Sequence, residues 1–318
     1  MSAPLPIIDF TGFASATPAY RQACADAIGK ACREVGFFYL KGHDIAPAMT
    51  QAAFQASAAF FAQTPDQKAA IAIEKSACHR GWFRLGEEVL DAKHQPEGDY
   101  KEGLKIGRDL APDHPHVQAG IPLHGPNQWP DIAGWQTTMQ AYYDACERVS
   151  RQLMQAFALS LNLQDDHFEA DLQAPMATLG ALYYPPLAPA QTSLSAGAHT
   201  DFGCLTLLAQ SQIEGLEILN KQGQWQAIPA LDDALVVNIG DMLARWTNDL
   251  YASTQHRVVN KGEVARYSLA YFFDPDPDAD LTALPGCLAP GAVSPYSRAT
   301  CLSHLLDKIE ESFAYRQT

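Results

Sequence analysis

Two residues of the segment "GAHTDFGCLTLLAQ" (197–210), His199 and Asp201, stand two positions apart just before a run of strand-forming residues. On an extended chain residues i and i+2 project to the same side, so an imidazole nitrogen and a carboxylate oxygen can meet at one point. Alone the pair is weak evidence, because with ten histidines in the chain and ordinary aspartate usage such a triplet arises by chance in about half of comparable sequences. A third residue changes the odds. His256 in "STQHRVVN" opens a later strand that a rolled sheet can return to face the first pair. Two histidines and one carboxylate on one face of an octahedral ion suit a non-haem Fe(II) centre, with three adjacent positions left open. Further along, Arg266 and Ser268 in "ARYSLAYFF" are again i and i+2 on a strand. A guanidinium fork beside a hydroxyl is suited to holding a carboxylate near such a metal.

These residues need a sheet to bring them together. Beyond residue 175 short strands alternate with turns: "ATLGALYY", "CLTLLAQ", "GLEIL", "QWQAI", "ALVVNIG", "HRVVN" and "YSLAYFF". Many short strands with no helix between them exclude a parallel βαβ sheet and leave a double-sheet roll or barrel. "NKQGQ" (220–224) and "NKGEVAR" (260–266) read as hairpin connections, since Asn and Gly accept positive φ cheaply. The first third is mainly helical: Cys24, Ala27, Ile28, Ala31, Cys32 and Val35 recur at helix spacing, and "GFFYL" (36–40) then reads as a strand. Thr64 with Pro65 marks a helix start. From about Asp131 to Leu163 a long helix carries Met139, Tyr142, Cys146, Val149, Leu153, Phe157 and Leu161 on one side, a face for bracing a sheet. A closing helix aligns Leu302, Leu305, Leu306, Ile309 and Phe313.

Composition narrows the function classes. The chain has 318 residues and a formal net charge of −14, from 22 Lys plus Arg against 36 Asp plus Glu. It has no basic surplus with which to release counterions from a phosphate backbone, so nucleic acid is not an expected partner. Seven cysteines with no CxxC pair read as reduced core thiols of a cytoplasmic protein. "MSAPLPIIDF" lacks the pattern of an export signal, and no stretch is apolar enough to span a bilayer. Without repeats or a low-complexity linker, the chain reads as one domain. Within it, 1–175 form a mostly helical region with substrate-side loops, 176–275 a core carrying the metal site, and 276–318 a final loop and helix.

In ten segments, the sequence resembles the isopenicillin N synthase-like branch of the Fe(II)/2-oxoglutarate-dependent oxygenases. They are "PIIDF", "CREVGFFYLKGH", "RGWFRLGEE", "DYKEGLKIG", "YYPP", "AHTDFGCLTLLAQ", "GLEIL", "VVNIGDMLARWTND", "STQHRVVN" and "RYSLAYFFDP", in that order along almost the whole chain. The resemblance implies a mainly β fold with flanking helices, a double-stranded β-helix (jelly roll). It makes His199, Asp201 and His256 the iron ligands, and assigns Arg266, Ser268 and Tyr184 to the distal carboxylate of 2-oxoglutarate. It further implies Fe(II), 2-oxoglutarate as co-substrate, O2, ascorbate as a reductant in vitro, and oxidation of a small molecule with release of succinate and CO2 by a monomer or weak oligomer. Two positions depart from the pattern: Leu182 stands where many relatives have Asn, and Asp44 where a glycine is common after the histidine of "KGHDI". The first removes a polar contact to the oxo acid; the second alters a turn.

Two other functions fit the same residues. In one, an iron oxidase uses the Arg266–Ser268 clamp for its substrate's own carboxylate and needs no 2-oxoglutarate. In the other, a catalytically silent jelly roll binds a ligand or a redox-inert metal. Tyr184 has a second reading too, as a core tyrosine bonded to a backbone carbonyl. The other histidines (43, 79, 94, 114, 116, 124, 167 and 304) read as surface or structural. Arg80, Arg84, Lys101 and Lys105 lie in a region that approaches the mouth of the roll in relatives. There they either meet an acidic substrate or serve as salt-bridged scaffold.

Overall fold

A computed structural model describes residues 5–188 and 192–312. Phe313 and the first four residues of the N-terminal stretch discussed above lie outside them. The strands are β1 (Ile7–Asp9), β2 (Phe37–Lys41), β3 (Gly81–Phe83), β4 (Glu102–Gly107), β5 (Met176–Tyr184), β6 (Thr192–His199), β7 (Leu205–Gln210), β8 (Leu216–Leu219), β9 (Trp225–Ala227), β10 (Ala234–Ile239), β11 (His256–Lys261) and β12 (Arg266–Asp274). The helices are α1 (Pro18–Glu34), α2 (Pro47–Phe61), α3 (Pro65–Ala69), α4 (Pro115–Gln118), α5 (Trp135–Ser160), α6 (Asp241–Trp246) and α7 (Cys301–Ser312).

Two sheets organise the chain, one of eight strands in the order β1-β2-β10-β7-β12-β5-β4-β3 and one of four in the order β6-β11-β8-β9. Apart from the short parallel β1–β2 pair, all pairings between these strands are antiparallel. The large sheet takes β1 to β4 from the helical first third, so both halves of the sequence build it. The fold is the mainly β jelly roll with flanking helices.

Period-two alternation gives the large sheet two different faces. Leu179, Ala181, Leu205, Leu207, Leu269, Tyr271 and Phe273 point outward into the main hydrophobic core, which α1, α2 and α5 complete. The α5 stripe is buried along Met139, Tyr142, Cys146, Val149, Leu153 and Phe157, which fixes the helix against the sheet. In α1, Cys24, Ile28, Ala31 and Cys32 are buried but Ala27 turns outward and Ala25 takes its place. Thr64 and Gln67 form a reciprocal capping box at the start of α3, just ahead of Pro65. The opposite face of the large sheet, carrying Arg266, Ser268, Ala270, Phe272 and Asp274 of β12, lines a cavity of about 200 Å³.

One connection differs from the sequence expectation. "NKQGQ" does close a β8–β9 hairpin, with the Asn220 side chain accepting from the backbone N–H of Gln222 and Gln224 and Gly223 at φ 74°. "NKGEVAR" does not close a hairpin. It carries the chain from β11 in the small sheet to β12 in the large one, so those strands pair with other partners. A Gly-containing loop satisfies the local needs of a sheet crossing as well as those of a hairpin, and local chemistry cannot separate them. Strand β6 was hidden for a related reason, since "TSLSAGAH" has few β-branched or aromatic residues, and its pairing comes from β11 rather than propensity.

Candidate active site

His199 is the last residue of β6 and His256 the first of β11, and the two lie directly opposite in the antiparallel ladder. Their ring centroids are 4.3 Å apart. Asp201 follows the end of β6, so the pair straddles a strand end instead of lying within one strand. Its Oδ1 lies 3.7 Å from His199 Nε2 and 3.6 Å from His256 Nε2. One potential ligand atom from each of the three residues lies within 4.8 Å of the others.

The surroundings orient all three. His199 Nδ1 lies 2.7 Å from the Gly197 carbonyl and His256 Nδ1 3.2 Å from the Thr254 carbonyl. A carbonyl only accepts, so both Nδ1 atoms carry the proton and both Nε2 lone pairs are left to face Asp201. Asp201 Oδ2 accepts from Thr206 Oγ1 at 2.5 Å and Asn238 Nδ2 at 2.7 Å, which leaves Oδ1 for the histidines. Burial pushes the Asp201 carboxyl up, but His256, His199 and the two hydrogen bonds outweigh it and hold the group below the usual carboxylate range. Burial, with His256 beside it, pulls the His199 imidazole down to about 4. Near neutral pH the site therefore holds a carboxylate and a neutral His199, the form of imidazole that can ligate a metal. Two imidazole lone pairs and one anionic oxygen, each oriented by a second hydrogen bond, fit Fe(II).

Arg266 and Ser268 share the cavity face of β12. Arg266 is 1 % exposed, and its Nη2 donates to Gln210 Oε1 at 2.9 Å. Its Nε and Nη1, like the Ser268 hydroxyl, are buried without a hydrogen-bond partner among the described residues. Tyr184 turns its ring to the guanidinium, 4.8 Å from ring centroid to Cζ. A buried cation with idle donors beside an idle hydroxyl is costly unless an anion completes it. Leu182, like Leu90, packs against the cluster of Tyr184, Ala196 and Val258, so the departure from Asn gives this part of the cavity an apolar wall.

Residues 5–132 match the family profile described as "non-haem dioxygenase in morphine synthesis N-terminal", and residues 135–275 match that of the 2OG-Fe(II) oxygenase superfamily. The chain is 34 % identical to the 2-oxoglutarate-Fe(II) type oxidoreductase hxnY of Emericella nidulans, over 93 % of this chain and 86 % of that protein. The chain belongs to the 2OG-Fe(II) oxygenase superfamily. The 2-oxoglutarate-dependent dioxygenase thnC of Trichoderma harzianum is 33 % identical over 86 % of this chain and 85 % of its own length. Among solved structures, a full-length Neurospora crassa protein in complex with alpha-KG superposes with a TM-score of 0.84 at 30 % identity, covering 96 % of both chains. This oxygenase uses Fe(II), O2 and 2-oxoglutarate, oxidising its substrate as 2-oxoglutarate is decarboxylated to succinate and CO2. A small-molecule substrate fits that family. No helix among the described residues is long and apolar enough to cross a membrane.

Several residues that shape the oxygenase site carry no local sequence signal. Thr206 and Asn238 face each other across the β7–β10 pair, and only that register brings them to Asp201. Gly240 allows the start of α6 to close on the same loop, because a Cβ there would meet the Asp201 and Gly203 carbonyls. Lys101 bonds Asp99, whose other oxygen accepts from the Gly197 N–H at 3.0 Å, so this ion pair anchors the residue whose carbonyl orients His199. Burial works against the Lys101 ammonium, but Glu88 and Asp99 hold it above the ordinary lysine value. Lys105 pairs with Glu88 at 3.0 Å, so both lysines are built into ion pairs inside the cavity wall. Arg84 lies on the surface with Glu74 and Glu87. Among the remaining histidines, His43 and His79 are buried, and His304 Nε2 meets the Phe202 carbonyl at 2.8 Å, anchoring α7. Asp44, in place of the common glycine, adopts φ 59°.

Proposed function

We propose that His199, Asp201 and His256 hold Fe(II) and that Arg266, whose guanidinium lies against the Tyr184 ring, and Ser268 bind the distal carboxylate of 2-oxoglutarate together with Tyr184. The observation that carries this reading is the idle donor set of Arg266 and Ser268, buried on β12 in the large sheet. When bound, iron supplies the O2 chemistry, driven by decarboxylation of the oxo acid. The protein's part is positional. Gly197 and Thr254 fix both imidazole tautomers, while Thr206 and Asn238 keep the Asp201 carboxylate ionised with one oxygen turned to the histidines. The guanidinium fork and the Ser268 hydroxyl set the register of the co-substrate, and the Leu182 wall keeps water from its chain.

The chain acts as a single oxygenase domain, a reading supported by strands from both matched segments joining one sheet. It works as a monomer or weak oligomer in the cytoplasm; seven free cysteines, six of them buried, accord with a reducing compartment. The test is aerobic incubation with Fe(II), ascorbate and 2-oxoglutarate across a metabolite panel, following succinate. O2 uptake driven by a carboxylate substrate without 2-oxoglutarate would give the clamp to the substrate and overturn the assignment.

A further inference from the structure

The cavity holds a second buried guanidinium that no described carboxylate reaches. Arg80 is 6 % exposed. Its Nη2 donates to the Leu123 carbonyl at 3.3 Å and Nη1 to the His79 carbonyl at 3.5 Å, both long, and Nε has no partner among the described residues. The other cavity cations from this region differ: Lys101 and Lys105 are in ion pairs with Glu88 and Asp99, and Arg108 is exposed. The acid that influences Arg80, Asp109, has its carboxylate taken by the Asn127 N–H and the Trp129 indole. A guanidinium has five donors, so most of the Arg80 fork is unspent.

Its place in the sheet gives the charge a purpose. The guanidinium lies over Gly107, where any Cβ would overlap it, so a residue without a side chain makes room for it on the cavity face. Gly107 pairs with Thr178, Thr178 with Phe272, Phe272 with Thr206 and Thr206 with Asn238, a single row across four ladders. Thr206 and Asn238, at one end of the row, hold Asp201. Gly107, under Arg80, is at the other. Three strand spacings separate Thr206 from Gly107, about 14 Å. Arg266 lies at the far end of β12, six residues from Phe272, so the two guanidiniums address different parts of the cavity.

Resting on the site assignment above, we propose that Arg80 binds the carboxylate of the primary substrate, which is therefore a small organic acid. Held there, the acid extends along the row toward Asp201 and presents a carbon a few bonds from its carboxylate to the oxidising centre.

The probes are matched acid and amide pairs: benzoate and benzamide, phenylacetate and phenylacetamide, hexanoate and hexanamide. Each is titrated calorimetrically into anaerobic protein, loaded with Fe(II) and 2-oxoglutarate so that the Arg266 site is occupied, and again without loading. At least one acid should bind tenfold or more tightly than its amide, and Arg80→Gln should erase that preference while leaving 2-oxoglutarate affinity within twofold. If Arg80→Gln fails to fold, Gly107→Ala, which displaces the guanidinium but keeps its charge, should weaken the acid selectively. Equal binding of every acid and amide, or a preference that survives displacement of Arg80, overturns the proposal. Failure of the underlying site assignment shows separately, as wild-type protein that does not take up 2-oxoglutarate with Fe(II).

Discussion

Replacing Arg266 by methionine separates binding from stability, because the two should move in opposite directions. The side chain is almost fully enclosed, makes one hydrogen bond at 2.9 Å to Gln210, and has two idle nitrogens. A charge-assisted hydrogen bond to a carboxylate contributes about 1.5 to 3 kcal/mol. Its loss should weaken 2-oxoglutarate binding roughly ten- to a hundredfold. In the unliganded protein the same guanidinium is an uncompensated buried charge, which an apolar residue of similar length replaces at little cost or with a gain. Arg266→Met should therefore keep or raise the thermal midpoint of ligand-free protein while abolishing the stabilisation that 2-oxoglutarate gives the wild type. Anaerobic titration of the Fe(II) protein, following the weak visible band of a chelated oxo acid, measures the first effect, and calorimetry with and without ligand the second. Unchanged 2-oxoglutarate affinity would refute the clamp; a ligand-free protein destabilised by several kcal/mol would refute the view that the charge waits for an anion.

Asp201→Ala removes the anionic donor of the cluster and should eliminate stoichiometric Fe(II) binding, read as metal content after anaerobic gel filtration, with the circular dichroism spectrum retained. Thr206→Val takes one of two hydrogen bonds from Asp201 Oδ2 and should weaken Fe(II) binding roughly tenfold or more, seen in competition with a chelator. Burial pushes the Asp274 carboxyl up to about 7, despite the Cys204 N–H bonded to it. Between the ordinary carboxylate value and that one the native state holds a proton the unfolded chain has lost, so this group makes stability fall as pH rises, by roughly 1.4 kcal/mol per unit at most. In metal-free protein, urea midpoints from pH 4 to 7 should show that decline flattened by Asp274→Asn; parallel profiles would remove the assignment. Thiol titration of denatured protein, prepared without reductant, should find all seven cysteines.

The candidate residues that could act through their own chemistry are readable in the sequence by type and spacing, whereas those that shape the site through register are not. His199, Asp201, His256, Arg266 and Ser268 announce themselves by type and spacing, and the period-two pattern of "YSLAYFF" matches β12 closely. Thr206 and Asn238 are ordinary strand residues until the β7–β10 pairing sets them side by side. The same limit explains the "NKGEVAR" crossing and the unsignalled β6, where tertiary pairing decides what local propensity leaves open. Arg80 was visible as a charge, but its separation from Lys101 and Lys105 depends on which acids lie within reach.

The two histidines belong to the small sheet, while the carboxylate between them is gripped by Thr206 and Asn238 of the large one. An ion seated among them is thus a rivet through both layers of the roll. Neither sheet alone can assemble the site during folding, so tight metal uptake reports the docking of two layers, a late and non-local event. Once seated, the ion opposes their separation, and chelation should loosen the sandwich first along the seam between β6 and β7.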